Sequence, residues 1–493
     1  MESNIPPTQN VLLVVMMDTH FVELSRLARL LKGAQGYEPI IWFRYPYATL
    51  ERDLAVCEAE GWKFELSFPR PGTATSPFPP AASTVSNQAQ RPFLIQIARR
   101  IIRRLVYGLL SKAKSISGLY SEVNWWLKHN QALAAETQNI LEKHKISLLV
   151  FAEDNVGYFT HILSRMAYRQ GVASVITPYT IANASEAARY FSAYPEYHVK
   201  NSRKNWWVSQ IFPHWVYSYQ GVDLLRMSAP AILGLEISGF RYQRPWVLNS
   251  DPLSLVAVEN ERMLEYYRAE KIPEERLVVT GALYDDVLAK AAEDQDNLRK
   301  VLDKELNLKP GQPLILCALP PNQFPWKCEF SNYDELINHW IQAFETIQGW
   351  NIVVRPHPRL ASKDIARLVE FGVKITTRDT ASLVPLSDLY IASVSATIRW
   401  AIACGKPVVN YDVYQLHYTD FAEVSGVLTL NESGLFLATL QRLTTNRTYY
   451  EQVATAQKLE MKRWGQLDGK ASERMLNLFE AAIAGKYHQE KPK

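Results

Sequence analysis

Short apolar segments alternate with segments of helical periodicity through the first half of the chain. The apolar segments are rich in aliphatic residues and carry almost no charge, which is typical of strands covered on both faces. They lie at residues 11–17, 39–43, 147–153 and 173–177, and helical patterns follow at 21–32 and 158–170. This alternation predicts a parallel sheet with helices on both faces.

The alternation resumes in the second half. Strands are predicted at 253–259, 277–280, 314–318, 351–355, 373–376, 388–393 and 407–410. A charged helical stretch that ends in Leu-Lys-Pro-Gly-Gln-Pro indicates a boundary between two domains. We therefore predict an α/β protein with two doubly wound, Rossmann-like parallel-sheet domains that face a cleft. The predicted parts are a first domain at 1–288, a linker at 289–312, a second domain at 313–448 and a helical tail at 449–493.

Two stretches interrupt this order. Residues 69–92 are rich in Pro, Ser, Thr and Ala, which predicts a flexible loop. Residues 93–114 have a helical pattern with an apolar face, and Arg99, Arg100, Arg103 and Arg104 lie mostly opposite it. A basic amphipathic helix is typical of a membrane-surface element, and equally of a helix packed on its own domain. Residues 199–215 add cations and tryptophans, which favours peripheral contact with an anionic membrane.

The composition narrows the class of protein. Of 493 residues, 47% are hydrophobic and 21% charged, as in ordinary globular proteins. A net charge of +4 argues against a nucleic-acid binder, which normally carries a strong basic excess. The four cysteines form neither a CxxC pair nor a zinc spacing, and this favours a reducing compartment. No secretory signal or spanning apolar run is visible, so we expect a cytoplasmic protein, with the inner face of the membrane as a further location.

The first chemistry-bearing segment is the end of the strand at 351–355. Arg355, His357 and Arg359 alternate with two prolines, which keep the chain extended as it leaves the sheet. Residues two apart in an extended chain share a face, so these three side chains can converge on one anion. Guanidinium groups suit phosphate oxygens. The alternative is a turn whose arginines bind nearby carboxylates.

The second segment follows the strand at 388–393. Ser395 is a good N-cap for a helix at 396–404, and Gly405 closes that helix. A helix N-terminus rich in hydroxyl groups suits a diphosphate. Ordinary capping is the alternative. The candidate phosphate contacts here are Ser393, Ser395, Ala396 and Thr397.

Candidates for a general base lie in the first half of the chain. His20 comes directly after the first strand, Glu153 and Asp154 end another, and Glu186 follows a polar loop. Each of these groups can take a proton from a hydroxyl. A single histidine at a helix start is more often a cap or a core residue.

The Arg-Pro-His-Pro-Arg strand end and the Ser-Val-Ser-Ala-Thr…Gly-Lys-Pro helix resemble the C-terminal domain of GT-B enzymes that build bacterial surface polysaccharides. The nearest group is the capsule and CDP-glycerol glycerophosphotransferase-like transferases. The resemblance covers roughly residues 250–412 and implies a GT-B fold in which Arg355, His357, Ser393, Ser395 and Thr397 contact the donor. The N-terminal half matches no signature of the family. UDP-N-acetylglucosamine 2-epimerases share the architecture, but their His-Arg-Arg-Glu and Glu-Ala-Gly stretches are absent here.

Three functions follow as hypotheses. The first is a glycosyltransferase that moves a sugar, or a related polyol-phosphate unit, from a nucleotide-linked donor to a lipid-linked or polysaccharide acceptor. The donor is a substrate, and no cofactor or metal is expected because cations of the chain can take the metal's place at the diphosphate. The second is an epimerase-like nucleotide-sugar enzyme, which needs paired acids and no acceptor. The third is a non-catalytic interaction protein with the same fold.

Overall fold

The computed structural model describes residues 8–70, 117–179, 181, 184–323, 327–357 and 360–486. The chain divides into two compact units. The first comprises 1–257, 272–278 and 476–493, and the second comprises 258–271 and 279–475. The predicted loop, apart from its first two residues, and the predicted basic helix at 93–114 lie outside the described residues.

The first sheet has seven strands in the order β3-β2-β1-β4-β5-β8-β9. Neighbouring strands from β3 through to β8 pair in parallel. The strands of this part of the chain, with the antiparallel pair β6–β7, are β1 (Gln9–Val15), β2 (Tyr37–Phe43), β3 (Lys63–Leu66), β4 (Ile146–Phe151), β5 (Ala173–Ile176), β6 (Val216–Tyr219), β7 (Val222–Leu225), β8 (Ser254–Val258) and β9 (Leu277–Val279). The helices are α1 (Asp18–Gly33), α2 (Leu50–Ala59), α3 (Ser117–Lys143), α4 (Thr160–Arg169), α5 (Ala184–Ser192), α6 (Arg203–Ile211) and α7 (Ala229–Ser238).

The second sheet has six strands, all parallel, in the order β12-β11-β10-β13-β14-β15. They are β10 (Leu314–Ala318), β11 (Asn351–Arg355), β12 (Lys374–Ile375), β13 (Leu389–Ala392), β14 (Val408–Tyr411) and β15 (Val427–Leu430). The remaining helices are α8 (Glu261–Ala269), α9 (Leu283–Glu293), α10 (Gln295–Leu306), α11 (Tyr333–Glu345), α12 (Ser362–Glu370), α13 (Thr380–Leu383), α14 (Ile398–Ala403), α15 (Ser433–Thr445), α16 (Arg447–Trp464) and α17 (Ala471–Ile483).

Burial explains why these segments fold as they do. All five residues from 11 to 15 in β1 are buried, as expected for a parallel strand with helices on both sides. Helix α1 buries Phe21, Leu24, Ala28 and Leu31, whose spacing of three and four residues forms one apolar stripe. The predicted α/β class with two parallel sheets is therefore confirmed. Most of the predicted linker at 289–312 is helical: α9 extends to Glu293, and α10 follows it and buries Leu302.

Each sheet has one topological switch point. In the first sheet the chain builds outward from β1 to β3 and then places β4 on the other side of β1. The second sheet repeats this order with β10 and β13. Loops that leave two such strands diverge and open a crevice at their carboxyl ends, which is where open α/β sheets bind ligands. These two switch points locate the candidate sites.

Candidate functional site

Two candidates predicted from the sequence meet at the switch point of the first sheet. His20 lies in the first turn of α1, after β1, and Glu153 lies two residues beyond β4. Their side chains approach to 3.9 Å between His20 Nε2 and Glu153 Oε1. Only 1% of His20 and 7% of Glu153 is exposed. The adjacency of β1 and β4 thus brings together residues 133 positions apart.

The imidazole of His20 is enclosed but has no hydrogen-bond partner at either ring nitrogen within the described part of the chain. The rings of Tyr158 and Tyr179 meet it edge-on, with centroids 5.7 and 4.7 Å away. Burial lowers the pKa of His20 to about 3. The imidazole is therefore neutral at physiological pH, and its contact with Glu153 is not an ion pair. Two unused ring nitrogens leave it able to bond an incoming group.

Glu153 has a carboxyl group poised to change protonation state near neutral pH. Burial raises its pKa to about 7, and the charges of Glu186 and Asp154 add to the rise. A hydrogen bond from Asn155 Nδ2, 3.3 Å from Glu153 Oε1, and the charge of Arg226 act in the opposite direction. Both the carboxylate and the carboxylic acid are then accessible near neutral pH, which suits a general base.

The carboxylate of Asp154, the neighbouring candidate, accepts hydrogen bonds from other parts of the fold. One carboxylate oxygen accepts from Thr160 Oγ1 at 2.6 Å, and the other accepts from Asp251 N at 2.8 Å and from the Tyr242 hydroxyl. Its backbone N–H donates to Asn249 Oδ1 at 2.8 Å. Burial and the charge of Asp251 raise its pKa, and these hydrogen bonds oppose the rise. Asp154 therefore anchors the loop that carries Glu153.

The sequence reasoning missed Arg226. It follows β7, is 7% exposed, and donates from Nη2 to Asn155 Oδ1 at 3.0 Å. Its guanidinium lies over the ring of Phe191, 4.8 Å from the centroid. Burial lowers its pKa to about 10, so it stays protonated at pH 7. The sequence pattern that could have identified Arg226 is an arginine directly after the end of an apolar strand.

Arg355 is held by the backbone in the second unit. Its Nε donates to Arg378 O at 2.8 Å and its Nη1 to Pro356 O at 2.5 Å. Burial lowers its pKa, and the charge of Asp379 opposes this. His357 is partly buried, and its carbonyl accepts from Leu360 N. Arg359 lies outside the described residues, so the predicted convergence of the three side chains stays a prediction.

The loop after β13 occupies the switch point of the second sheet. Thr397 Oγ1 bonds Ser395 Oγ at 2.8 Å and Tyr390 Oη at 2.6 Å. Val394 has φ of +45°, a strained conformation for a β-branched residue, and its N–H donates to Asn410 Oδ1 at 2.8 Å. Strain of this kind is concentrated at functional sites.

The predicted helix at 396–404 starts two residues late. It begins at Ile398, and residues 396–397 form a turn before it, in which Ile398 N donates to Ser395 O at 3.1 Å and Thr397 N donates to Ser395 Oγ at 3.3 Å. Within the described chain, no acceptor faces the backbone N–H of Ser395 or Ala396. Two such N–H groups beside two hydroxyls form a surface that suits an anion.

No helix among the described residues is long and apolar enough to cross a bilayer. The described residues also contain no group of three or more His, Cys, Asp or Glu side chains placed to hold a metal ion. The expectation that no metal takes part stays a prediction.

Comparison with known proteins gives likeness of structure only. No family model and no curated protein sequence matches the chain. It is similar to the UDP-GlcNAc 2-epimerase of Neisseria meningitidis, at 12% identity and a TM-score of 0.48 over 95% of this chain and 99% of that one. It is similar to a Rickettsia africae glycosyltransferase, at 11% identity and a TM-score of 0.43 over 97% of this chain and 99% of that one. It is similar to the wall teichoic acid polymerase TagF, at 14% identity and a TM-score of 0.49 over 99% of this chain and 91% of that one. At these identities the likeness does not extend to the reaction.

Proposed function

We propose that this chain is a glycosyltransferase of bacterial surface-polysaccharide synthesis. It moves a sugar, or a related polyol-phosphate unit, from a nucleotide-linked donor to a hydroxyl of a lipid-linked or glycan acceptor. The observation that carries the proposal is the pair of His20 and Glu153 at a switch point. A buried carboxyl with a pKa of about 7 faces a neutral imidazole with two unused nitrogens. This pair suits removal of a proton from a bound hydroxyl.

The chemistry assigned to the first unit is proton transfer. The carboxylate of Glu153 accepts the proton of the acceptor hydroxyl while that oxygen attacks the transferred carbon, or phosphorus for a polyol-phosphate unit. The bond to the departing nucleotide breaks, and the nucleotide leaves with the bonding electrons. His20, held neutral by burial, hydrogen-bonds the same hydroxyl and fixes its direction. Arg226 favours the ionised form of Glu153 through its charge.

The chemistry assigned to the second unit is anion binding. The N–H groups of Ser395 and Ala396 and the hydroxyls of Ser395 and Thr397 are suited to hold the donor's phosphate oxygens. Hydrogen bonds of this type are worth most where negative charge grows on the departing nucleotide. Because Arg355 is tied to two carbonyls, we assign it the positioning of this strand end and an electrostatic contribution to the diphosphate.

An epimerase-like reaction fits this site less well. Removing and returning a proton on a sugar carbon calls for two acid–base groups, whereas Asp154 accepts three hydrogen bonds from the fold. This leaves Glu153 as the carboxyl suited to proton transfer in that loop. The epimerase and the non-catalytic interaction protein are separate outcomes of the following test.

The test combines binding and turnover. Thermal-shift titration of the wild type with CMP, CDP, UDP and GDP should give a base-selective rise in midpoint that Ser395→Ala/Thr397→Val diminishes. With the selected donor and a polyprenyl-phosphate-linked acceptor, Glu153→Gln should retain nucleotide binding and lower kcat by about a hundredfold to ten-thousandfold. The kcat/KM of the wild type should rise with pH through an apparent pKa of about 7.

Glu136→Gln is the matched control in the same unit, since Glu136 pairs with Arg44 and not with His20, the neighbour of Glu153. It should leave kcat unchanged. Isomerised donor in the absence of acceptor would identify an epimerase instead. Absence of nucleotide binding would leave the interaction protein as the better description.

A further inference from the structure

Helix α6 has its apolar face turned outward. Its exposed side chains include Trp206 at 47%, Trp207 at 59% and Ile211 at 50%. Its buried side chains are Asn205, Val208 and Ser209. An ordinary surface helix buries its large apolar residues and exposes its polar ones. Folding of the chain alone does not account for the reversed arrangement, since two indoles are left in water.

Hydrogen bonds fix this orientation. Asn205 is 2% exposed, and its Nδ2 donates to the carbonyls of Glu196 at 2.8 Å and His198 at 2.9 Å. Its N–H donates to Ser202 Oγ, which caps the helix, and Ser209 Oγ donates to Trp206 O at 2.7 Å. Rotation that buried the tryptophans would leave the Asn205 amide in an apolar environment or in water without these partners. The outward face is therefore specified by the fold.

The surroundings of this face are cationic. Lys200, Arg203 and Lys204 are all exposed at its start, and α6 contains no acidic residue. Lys204 reaches Glu122 of α3 at 3.4 Å. One turn further along α3, Trp125 is 52% exposed. We call Trp125, Trp206, Trp207, Ile211 and the three cations the tryptophan face.

We propose that the tryptophan face docks the protein on the surface of an anionic lipid bilayer. Indole rings favour the boundary between headgroups and acyl chains, and adjacent lysines and arginines are attracted to anionic headgroups. A nine-residue helix is much too short to span the bilayer and lies in the interface plane. The inference does not depend on the proposed reaction.

The test is flotation of the full-length protein with vesicles of phosphatidylcholine, with and without phosphatidylglycerol. The wild type should bind the anionic vesicles and bind the zwitterionic ones more weakly. Trp206→Ser/Trp207→Ser should lower the partition coefficient at least about tenfold. Arg203→Gln/Lys204→Gln should lower it about fivefold per cation on anionic vesicles alone. Val369→Ser/Phe371→Ser removes two equally exposed apolar side chains elsewhere and should leave binding unchanged.

Circular dichroism spectra and melting midpoints show whether each variant folds. If Trp206→Ser/Trp207→Ser does not fold, Arg203→Gln/Lys204→Gln tests the proposal by itself. Vesicle binding equal to that of the wild type in both variants would overturn the proposal, including the case in which residues 93–114 bind lipid by themselves. Sedimentation equilibrium tests whether a second copy of the chain, rather than lipid, covers the tryptophan face. A wild-type dimer that becomes a monomer in Trp206→Ser/Trp207→Ser would assign the face to a second copy of the chain and overturn the lipid assignment.

Discussion

The buried carboxyl of Glu153 predicts a pH-dependent gain in stability for Glu153→Gln. Its pKa is about 7 in the folded protein, against an ordinary value of 4.5. Between these values the folded state binds more protons than the unfolded state, so Glu153 lowers stability as the pH rises. From pH 5 to pH 8 this loss is about 2 to 3 kcal/mol. Glutamine keeps the shape and the acceptor for Asn155 but carries no charge, so the variant escapes the loss.

The assay is urea unfolding of the wild type and Glu153→Gln at pH 5 and pH 8, followed by circular dichroism. The free energy of unfolding of the variant relative to the wild type should rise by about 2 to 3 kcal/mol between the two pH values. His20 is present in both proteins, so its contribution cancels in this difference. Glu136→Gln is the control: it removes a carboxyl group that pairs with Arg44 at 2.8 Å, and its difference from the wild type should be the same at both pH values. A difference for Glu153→Gln that is flat, or that falls with pH, would refute a raised pKa at this site.

Three further substitutions test the second unit, each by urea unfolding. In Gly426→Ala the added Cβ would lie 1.7 Å from Gln457 Oε1 and 2.4 Å from Gln457 Cβ, so we expect a loss of about 2 kcal/mol; no loss would contradict this packing. Val394→Gly should stabilise by up to about 1 kcal/mol by relieving the positive φ, and destabilisation would argue against strain. Arg399→Met should cost about 3 kcal/mol because it leaves Glu259 buried without its partner at 3.0 Å, and Glu259→Gln in the same chain should recover much of that loss.

The sequence predicts the two sheets well because the signal is local. The strands at 314–318 and 351–355 have the bounds of β10 and β11, since both are short apolar runs with clear polar limits. The order in which the strands pair is not local. It follows from rules of connection and handedness, which is why the sequence supports a doubly wound sheet without giving the register.

The candidate site is predicted less completely, because it depends on contacts between distant residues. His20 and Glu153 are identifiable from their positions after strands. The partners that separate Glu153 from Asp154 lie far along the chain: Tyr242 and Asp251 bond the carboxylate of Asp154. The helix α14 starts two residues later than the pattern predicts, because residues 396–397 form a turn in which Ile398 N donates to Ser395 O.

Two adjacent carboxyl groups therefore take different roles under nearly equal burial. Asp154 accepts two hydrogen bonds from side chains and one from the backbone, and each favours its ionised form or holds its position. Glu153 accepts one long bond from Asn155, so burial dominates its pKa. Burial raises the pKa of both carboxyl groups, and more hydrogen bonds oppose the rise at Asp154 than at Glu153. Glu153 thus combines a cost in stability with the property that proton transfer requires, and Asp154 keeps it in place.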